Sequence, residues 1–149
     1  MFASVERSPN ERGTFVFEKT YIMIKPDAVK RGQVGRIISR FEDTGLTLER
    51  LELAVLTTEQ AAANYAEHEG KPFYDGLIEY ITSGPVVKMV WSGDGAVLLC
   101  RKLMGVTNPA EAAPGTIRGD LGLSLDANVI HGSDSVESAQ REVKLFFGC

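Results

Sequence analysis

His131 follows the β-branched pair Val129-Ile130 and precedes Gly132, Ser133, Asp134 and Ser135. An imidazole so placed can act as a nucleophile when one ring nitrogen is held protonated by an acceptor, because the other then keeps its lone pair free. Gly132 leaves the ring room for a bulky partner. Glu142 supplies a candidate acceptor. On a helix of normal periodicity it sits roughly sixty degrees to one side of the stripe Ala139, Val143 and Phe146, on an edge that faces back toward the strand. Both residues also have plainer readings, His131 as a structural or surface histidine and Glu142 as a solvated helix residue. Attack on a phosphate further requires cations fixed around the transferring oxygens. Lys25, Arg101 and Arg118 are the candidates, each ending or following a separate element and each also readable as an ordinary surface charge.

The elements that must position these residues are read from periodicity. Thr20 to Lys25 alternates as a strand and Pro26 stops it, which puts Lys25 at a strand end. Val34, Ile37, Ile38 and Phe41 follow helical spacing up to Gly45. Leu46 to Val55 is a second strand whose phase slips at Glu49-Arg50, the mark of a bulge. Thr57 and Gln60 form a capping box for a helix reaching about His68, and Pro72 to Tyr80 adds another, with Phe73, Leu77, Ile78 and Ile81 on one side. Val86 to Trp91 is a third strand, Ser92 to Gly95 a turn, and Ala96 to Met104 a helix closed by Gly105. A long polar loop up to Leu125 carries Arg118, and loops of that length are commonly functional. Asn128 to Ile130 is a short last strand. Asp134 with Glu137 caps a final helix whose buried stripe is Val136, Ala139, Val143 and Phe146. The order describes an α+β domain, a ferredoxin-like βαββαβ sheet covered by helices, with helical insertions and a long functional loop before the last strand.

The bulk properties exclude several classes. A chain of 149 residues, 44% hydrophobic, suits one compact domain. Its net charge of -4 provides no broad electrostatic footprint for nucleic acid. Two cysteines, Cys100 within an apolar helical pattern and Cys149 at the end, give neither a disulfide framework nor a CxxC metal site, which fits a reducing, cytoplasmic setting. The longest apolar run, Val86 to Trp91, contains Lys88 and is far short of the ~20 residues that cross a bilayer. Residues 1–18 scatter Glu6, Arg7, Glu11, Arg12 and Glu18 and are expected to form a flexible extension, with residues 19–149 as a single domain. There is no GxxxxGK[ST] loop, no GxGxxG fingerprint and no HExxH, and two histidines are too few for a His-rich metal cage.

Asn128-Val129-Ile130-His131-Gly132-Ser133-Asp134-Ser135 closely resembles the active-site signature of the nucleoside diphosphate kinase family. Ile24-Lys25-Pro26-Asp27, Arg31-Gly32-Gln33-Val34-Gly35, Arg40-Phe41-Glu42, Ser83-Gly84-Pro85-Val86-Val87, Thr107-Asn108-Pro109-Ala110 and Pro114-Gly115-Thr116-Ile117-Arg118-Gly119-Asp120 are similar to that family's other motifs, in the same order. Together they span about residues 19–147. The resemblance implies that His131 is phosphorylated, on Nδ1, in a ping-pong transfer from a nucleoside triphosphate to a diphosphate, with Glu142 and Ser133 holding the ring. It implies that Lys25 and Asn128 reach the sugar hydroxyl, Arg101 and Thr107 the β-phosphate and Arg118 the γ-phosphate, with Tyr65 also on the phosphates or ribose. Phe73 is then the aromatic under the base and Leu125 covers its other face, a contact that any base can make. Mg²⁺ would arrive with the nucleotide, with no dedicated protein cage. The family also implies a homo-oligomer, most often a hexamer, although the stop at Cys149, where many relatives continue, leaves a smaller assembly open.

Two other readings stay open: a catalytically silent nucleotide-binding module on the same fold, and a carrier that passes phosphate from histidine to another protein. His131, Lys25 and Arg118 speak against the first. Phe73, Tyr65 and Asn128 favour a nucleotide over a protein acceptor.

Overall fold

The computed structural model describes residues 16–148. The expected N-terminal extension therefore lies outside the described residues up to position 15, and its last residues, Phe17 and Glu18, open the first strand. Four strands, β1 (Phe17–Ile24), β2 (Thr47–Ala54), β3 (Val86–Asp94) and β4 (Ile130–Gly132), form one sheet in the order β2-β3-β1-β4 with every pair antiparallel. That order is the ferredoxin-like arrangement read from the sequence. Helices α1 (Pro26–Lys30) and α2 (Val34–Glu42) link β1 to β2, α3 (Thr58–Asn64) and α4 (Tyr74–Ile81) are inserted between β2 and β3, α5 (Ala96–Met104) and α6 (Ile117–Leu121) precede β4, and α7 (Val136–Phe147) follows it.

Both faces of the sheet are covered, which is why β1 is continuously buried from Thr20 to Ile24. On one face Ile22, Ile24, Met89 and Trp91 pack with Ile37 and Phe41 of α2, Met104 of α5 and Ile117 of α6. Phe41 stacks on Trp91 at 5.6 Å between ring centroids. On the other, Tyr21 and Met23 pack with Ala61 of α3, Ile81 of α4 and Phe146 of α7. The two sets follow the period-2 alternation of a strand. A buried Lys88 ties down the end of α7, its Nζ donating to the Phe146 carbonyl at 2.9 Å and lying 3.4 Å from Glu52.

Several local readings hold. The capping box Thr57–Gln60 is present in both directions, the bulge falls between Leu48 and Arg50, and Gly105 ends α5. Others need correction. The expected turn at Ser92 to Gly95 is mostly strand, since β3 continues to Asp94 against Phe17. The long loop contains α6, capped by Thr116, whose hydroxyl accepts the Gly119 N–H at 3.1 Å. The last strand is displaced from 128–130 to Ile130–Gly132, so His131 lies within it, opposite Met23. Ser135, not Asp134, caps α7, and Val136 is 38% exposed instead of buried. Pro26 does end β1, but as the first residue of α1, where its missing N–H is harmless.

Gly119 is held where no side chain fits. A Cβ there would collide with the Ala113 carbonyl and come 2.9 Å from Thr116 Oγ1. Backbone cannot give as a flexible side chain can, so Gly119→Ala should destabilise the protein by about 1–3 kcal/mol despite alanine's better helix propensity. Urea unfolding of the two proteins checks this, and an unchanged or higher midpoint for the variant contradicts it.

Candidate active site

The chain between Asn128 and His131 makes an unusual turn. Val129, fully buried, has φ of 66°, a left-handed conformation that β-branched residues avoid. Its carbonyl accepts the Lys25 N–H at 2.9 Å, and the Ile130 N–H bonds the Asn128 carbonyl at 2.8 Å. The kink separates Asn128 from the strand and brings it, with His131, to the wall of one cleft of about 340 Å³. Such strain typically costs about 1–3 kcal/mol and persists only where surrounding bonds enforce it.

Arg118 is the main enforcing group. It is 4% exposed, and its guanidinium donates to the carbonyls of Gly105 at 2.9 Å, Ile130 at 2.7 Å and Asn128 at 3.4 Å. One side chain thus ties the end of α5 to both sides of the Val129 kink. Lys25 Nζ donates to Asn128 Oδ1 at 2.7 Å, and Asn128 Nδ2 donates to the Thr107 carbonyl at 3.2 Å. Arg101 donates to the Gly132 carbonyl at 3.4 Å.

None of Lys25, Arg101 and Arg118 is in a salt bridge among the described residues. Burial, followed by the Arg118 charge and partly offset by Asp27, lowers Lys25 to about 8. Burial and then Arg101 lower Arg118 to about 10. The three cations therefore stand close together, partly desolvated and mutually repelling, an arrangement that a multiply charged anion would relieve.

His131 meets the opposite wall. Its Nε2 bonds the carboxylate of Glu142, which is only 2% exposed and is therefore not the solvated helix residue that the sequence left open. A carboxylate on Nε2 fixes the N–H there and leaves Nδ1 as the free lone pair. The Tyr65 hydroxyl is buried nearby, and burial, then the Glu142 charge, raises it to about 12.

The cleft thus gathers Lys25, Tyr65, Arg101, Thr107, Arg118, Asn128, His131 and Glu142 from seven separate segments. Three expected residues stand apart. Ser133 does not hold the ring: its hydroxyl is taken by the main chain of Tyr21, accepting the N–H at 3.2 Å and donating to the carbonyl at 3.3 Å. Phe73 and Leu125, 52% and 57% exposed, are outside the cleft lining, and Phe73 is therefore not a core aromatic. Gly132 also serves a different end from the one anticipated, since a Cβ there would strike Met104 and Ile22 in the core.

The cleft contains residues that sequence reasoning passed over, notably His68 and Arg141. His68 stacks on Tyr65 and meets the edge of Phe73 at 5.3 Å, forming an aromatic path from the cleft to Phe73. As one of only two histidines it had a signal, and Arg141 adjoins Glu142 in sequence. A larger cavity of about 730 Å³ beside α7, lined by Phe17, Arg50 and Val143 among others, holds none of the anticipated residues. Chemistry, not size, marks the smaller cleft as the site.

Known proteins resemble the chain over most of its length. The family model described as nucleoside diphosphate kinase matches residues 18–149. The nucleoside diphosphate kinase of Staphylococcus epidermidis is 61% identical over 130 residues, covering 87% of each chain. That of Halalkalibacterium halodurans is 56% identical over 87% of this chain and 88% of its own. Among solved structures, the apo enzyme of Encephalitozoon cuniculi superposes with a TM-score of 0.87 at 48% identity, covering 89% of this chain and 90% of that one. The Halobacterium salinarum enzyme in complex with CDP gives 0.87 at 48%, covering 90% of each. With a match over nearly its whole length and relatives above half identity, the chain belongs to the nucleoside diphosphate kinase family.

Proposed function

We propose that the family's reaction, transfer of a γ-phosphoryl group from a nucleoside triphosphate to a nucleoside diphosphate, runs in this chain through a phosphate carried on His131. The observation that carries this reading is the bond from His131 Nε2 to buried Glu142, in a cleft whose opposite side holds three cations that form no salt bridge among the described residues. The Nδ1 lone pair attacks the γ-phosphorus, the bond from phosphorus to the β,γ-bridging oxygen breaks, and the diphosphate leaves with that electron pair. Nε2–H stays on Glu142 throughout, so the neutral imidazole needs no proton removed before attack. A second diphosphate then attacks the phosphohistidine with a terminal oxygen and regenerates the ring.

The remaining roles follow the same reading. Arg118 stabilises charge on the transferring group, Arg101 and Thr107 hold the β-phosphate, Lys25 and Asn128 reach the sugar hydroxyl, and Tyr65 closes the site beside Glu142. Phe73 and Leu125, exposed beyond the cleft, receive the base. Stacking there discriminates little between bases, and the CDP held by the Halobacterium relative supports pyrimidine acceptance.

Mg²⁺ is part of the proposal as a companion of the substrate. Among the described residues no group of three acidic, histidine or cysteine side chains could hold a metal ion, and beside Glu142 the carboxylates lining the cleft are Glu67 and Asp134, a ligand type that meets a hydrated cation through its waters. When bound, the cation neutralises charge on the phosphates. We further assign residues 19–149, with Phe17 and Glu18, to one catalytic domain preceded by an extension, and place the protein in the cytoplasm. Among the described residues no helix is long and apolar enough to cross a membrane. Assembly as a homo-oligomer, a hexamer, is supported by β2, an edge strand that exposes Leu51 at 49% and Leu53 at 62%.

Incubation with γ-labelled ATP and Mg²⁺ should put acid-labile, base-stable label on His131 that GDP or CDP discharges. His131→Ala should lose transfer by at least about 10³-fold while nucleotide affinity changes little. Label that passes only to a protein supports the carrier reading, and no label on folded wild type supports the silent module. Lys25 provides an independent check. Its value of about 8 reflects burial and Arg118, and the negative charge of a bound polyanion outweighs them, raising it. As pH rises from 8 to 9 the free lysine goes from about half to mostly neutral while the bound one stays charged, so ADP binding should take up a proton and weaken as pH rises. Calorimetry in buffers of different ionisation enthalpy measures the uptake, which Lys25→Arg should abolish. Binding at pH 8.5 without uptake contradicts the assignment.

A further inference from the structure

Two buried polar atoms beside the His131–Glu142 pair have no hydrogen-bond partner among the described residues: the hydroxyl of Tyr21 and the second carboxylate oxygen of Glu142, Oε1. Unpaired buried groups of this kind are rare in folded proteins because each forfeits its hydration. A donor and an acceptor left together in one place ask for each other, directly or through a trapped water.

The placement of Tyr21 is fixed from three sides. On β1 it lies two residues before Met23, which pairs with His131, so all three share one face of the sheet. Its ring is 6.0 Å from the His131 ring and stacks almost parallel on Phe146 at 4.7 Å. Phe146 is one helical turn beyond Glu142, which sets the tyrosine against the stretch of α7 that presents the carboxylate. Its main chain is clamped by Ser133. Ring packing alone would be served equally by phenylalanine, so the packing does not account for the hydroxyl.

We propose that Tyr21 is a positioning residue for phosphoryl transfer, donating its hydroxyl proton to Glu142 Oε1, directly or across one enclosed water, while His131 Nε2 donates to Oε2. This rests on the role given to the His131–Glu142 pair above. Donation to Oε1 draws charge away from Oε2, and so keeps the shared proton on the ring. Burial, then Glu142, Tyr65 and Glu52, hold the Tyr21 hydroxyl well above the usual tyrosine range, so it remains a donor at any working pH. The other ionisable groups facing this spot are Tyr65 at the end of α3, Glu52 of β2, and Lys88 of β3 with Arg50 of β2, whose cations lie over the Phe147 ring that edges Tyr21. A carboxylate oxygen has two lone pairs, so Tyr65 can share Oε1 without displacing Tyr21.

The test is Tyr21→Phe, which keeps the ring stack and is expected to fold. Two readouts that packing would not move are the pH dependence of His131 phosphorylation by ATP and the Nε2–H proton resonance of His131. Without the donor the carboxylate takes up a proton more readily, so the acid limb of the rate profile should move to higher pH by roughly one unit. The resonance should move downfield, the rate at neutral pH should fall several-fold, and KM should change less than twofold. A folded variant whose acid limb and resonance coincide with wild type overturns the inference while leaving the phosphohistidine mechanism in place. Wild type that takes no label on His131 fails the underlying reading instead, whatever Tyr21 does.

Discussion

The bond between His131 and Glu142 joins the last strand to the last helix, and most of the described structure bears on keeping it in place. The strand end is held by Ile22 and Met23 of β1 and by Arg118, while the helix is held by Ser135 at one end and Lys88 at the other. Both layers must be present, because the imidazole rises from the sheet face that α7 covers. A carboxylate 2% exposed would be costly there without its ring partner, and the ring without the carboxylate would lack a fixed tautomer. Each group makes the other tolerable, so the site behaves as a unit.

The opposite wall works by the reverse principle, since its charges are only partly compensated, Asp27 offsetting part of the penalty on Lys25. Lys25, Arg101 and Arg118 repel one another across a partly dry cleft, and Val129 adds a backbone conformation that its side chain disfavours. Arg118 is both a member of this set and its brace, with three carbonyls on one guanidinium. Replacing it would remove charge and loosen the kink together, so a defect in an Arg118 variant does not isolate its contact with phosphate.

The fold was legible where periodicity is long enough to speak. The alternation in β1, the stripe of α2, the Thr57–Gln60 box and the slip at Glu49 all appear at or near the expected positions. Helices α1 and α6, five residues each, are too short for a hydrophobic period and hold through tertiary contacts. The last strand was misplaced because a β-branched residue in a left-handed conformation contradicts its own propensity, and Val129 read as strand. Within the cleft, residue type pointed to His131, Lys25, Arg101 and Arg118, which the structure brings together. It did not find that Ser133 turns to Tyr21 or that Gly132 makes way for Met104, because those partners are distant in sequence.

The two walls together explain why such a site can be poised without bound substrate. Free, the cleft stores unfavourable terms in crowded cations, the strained Val129 and a carboxylate oxygen with no described partner. In the proposed reaction a polyphosphate offsets the first of these on binding, and the positive charge that develops on the imidazole as it bonds phosphorus is met by the Glu142 carboxylate. Interactions that improve as the reaction proceeds raise the rate, whereas those already satisfied in the free protein raise only affinity. The imbalance of charge across the cleft therefore gives the proposed transfer a direction, with the cations on one side and the buried carboxylate behind the His131 ring on the other. Under the proposed mechanism that polarity serves both half-reactions, because a phosphate on His131 would face the same cations when the next diphosphate enters.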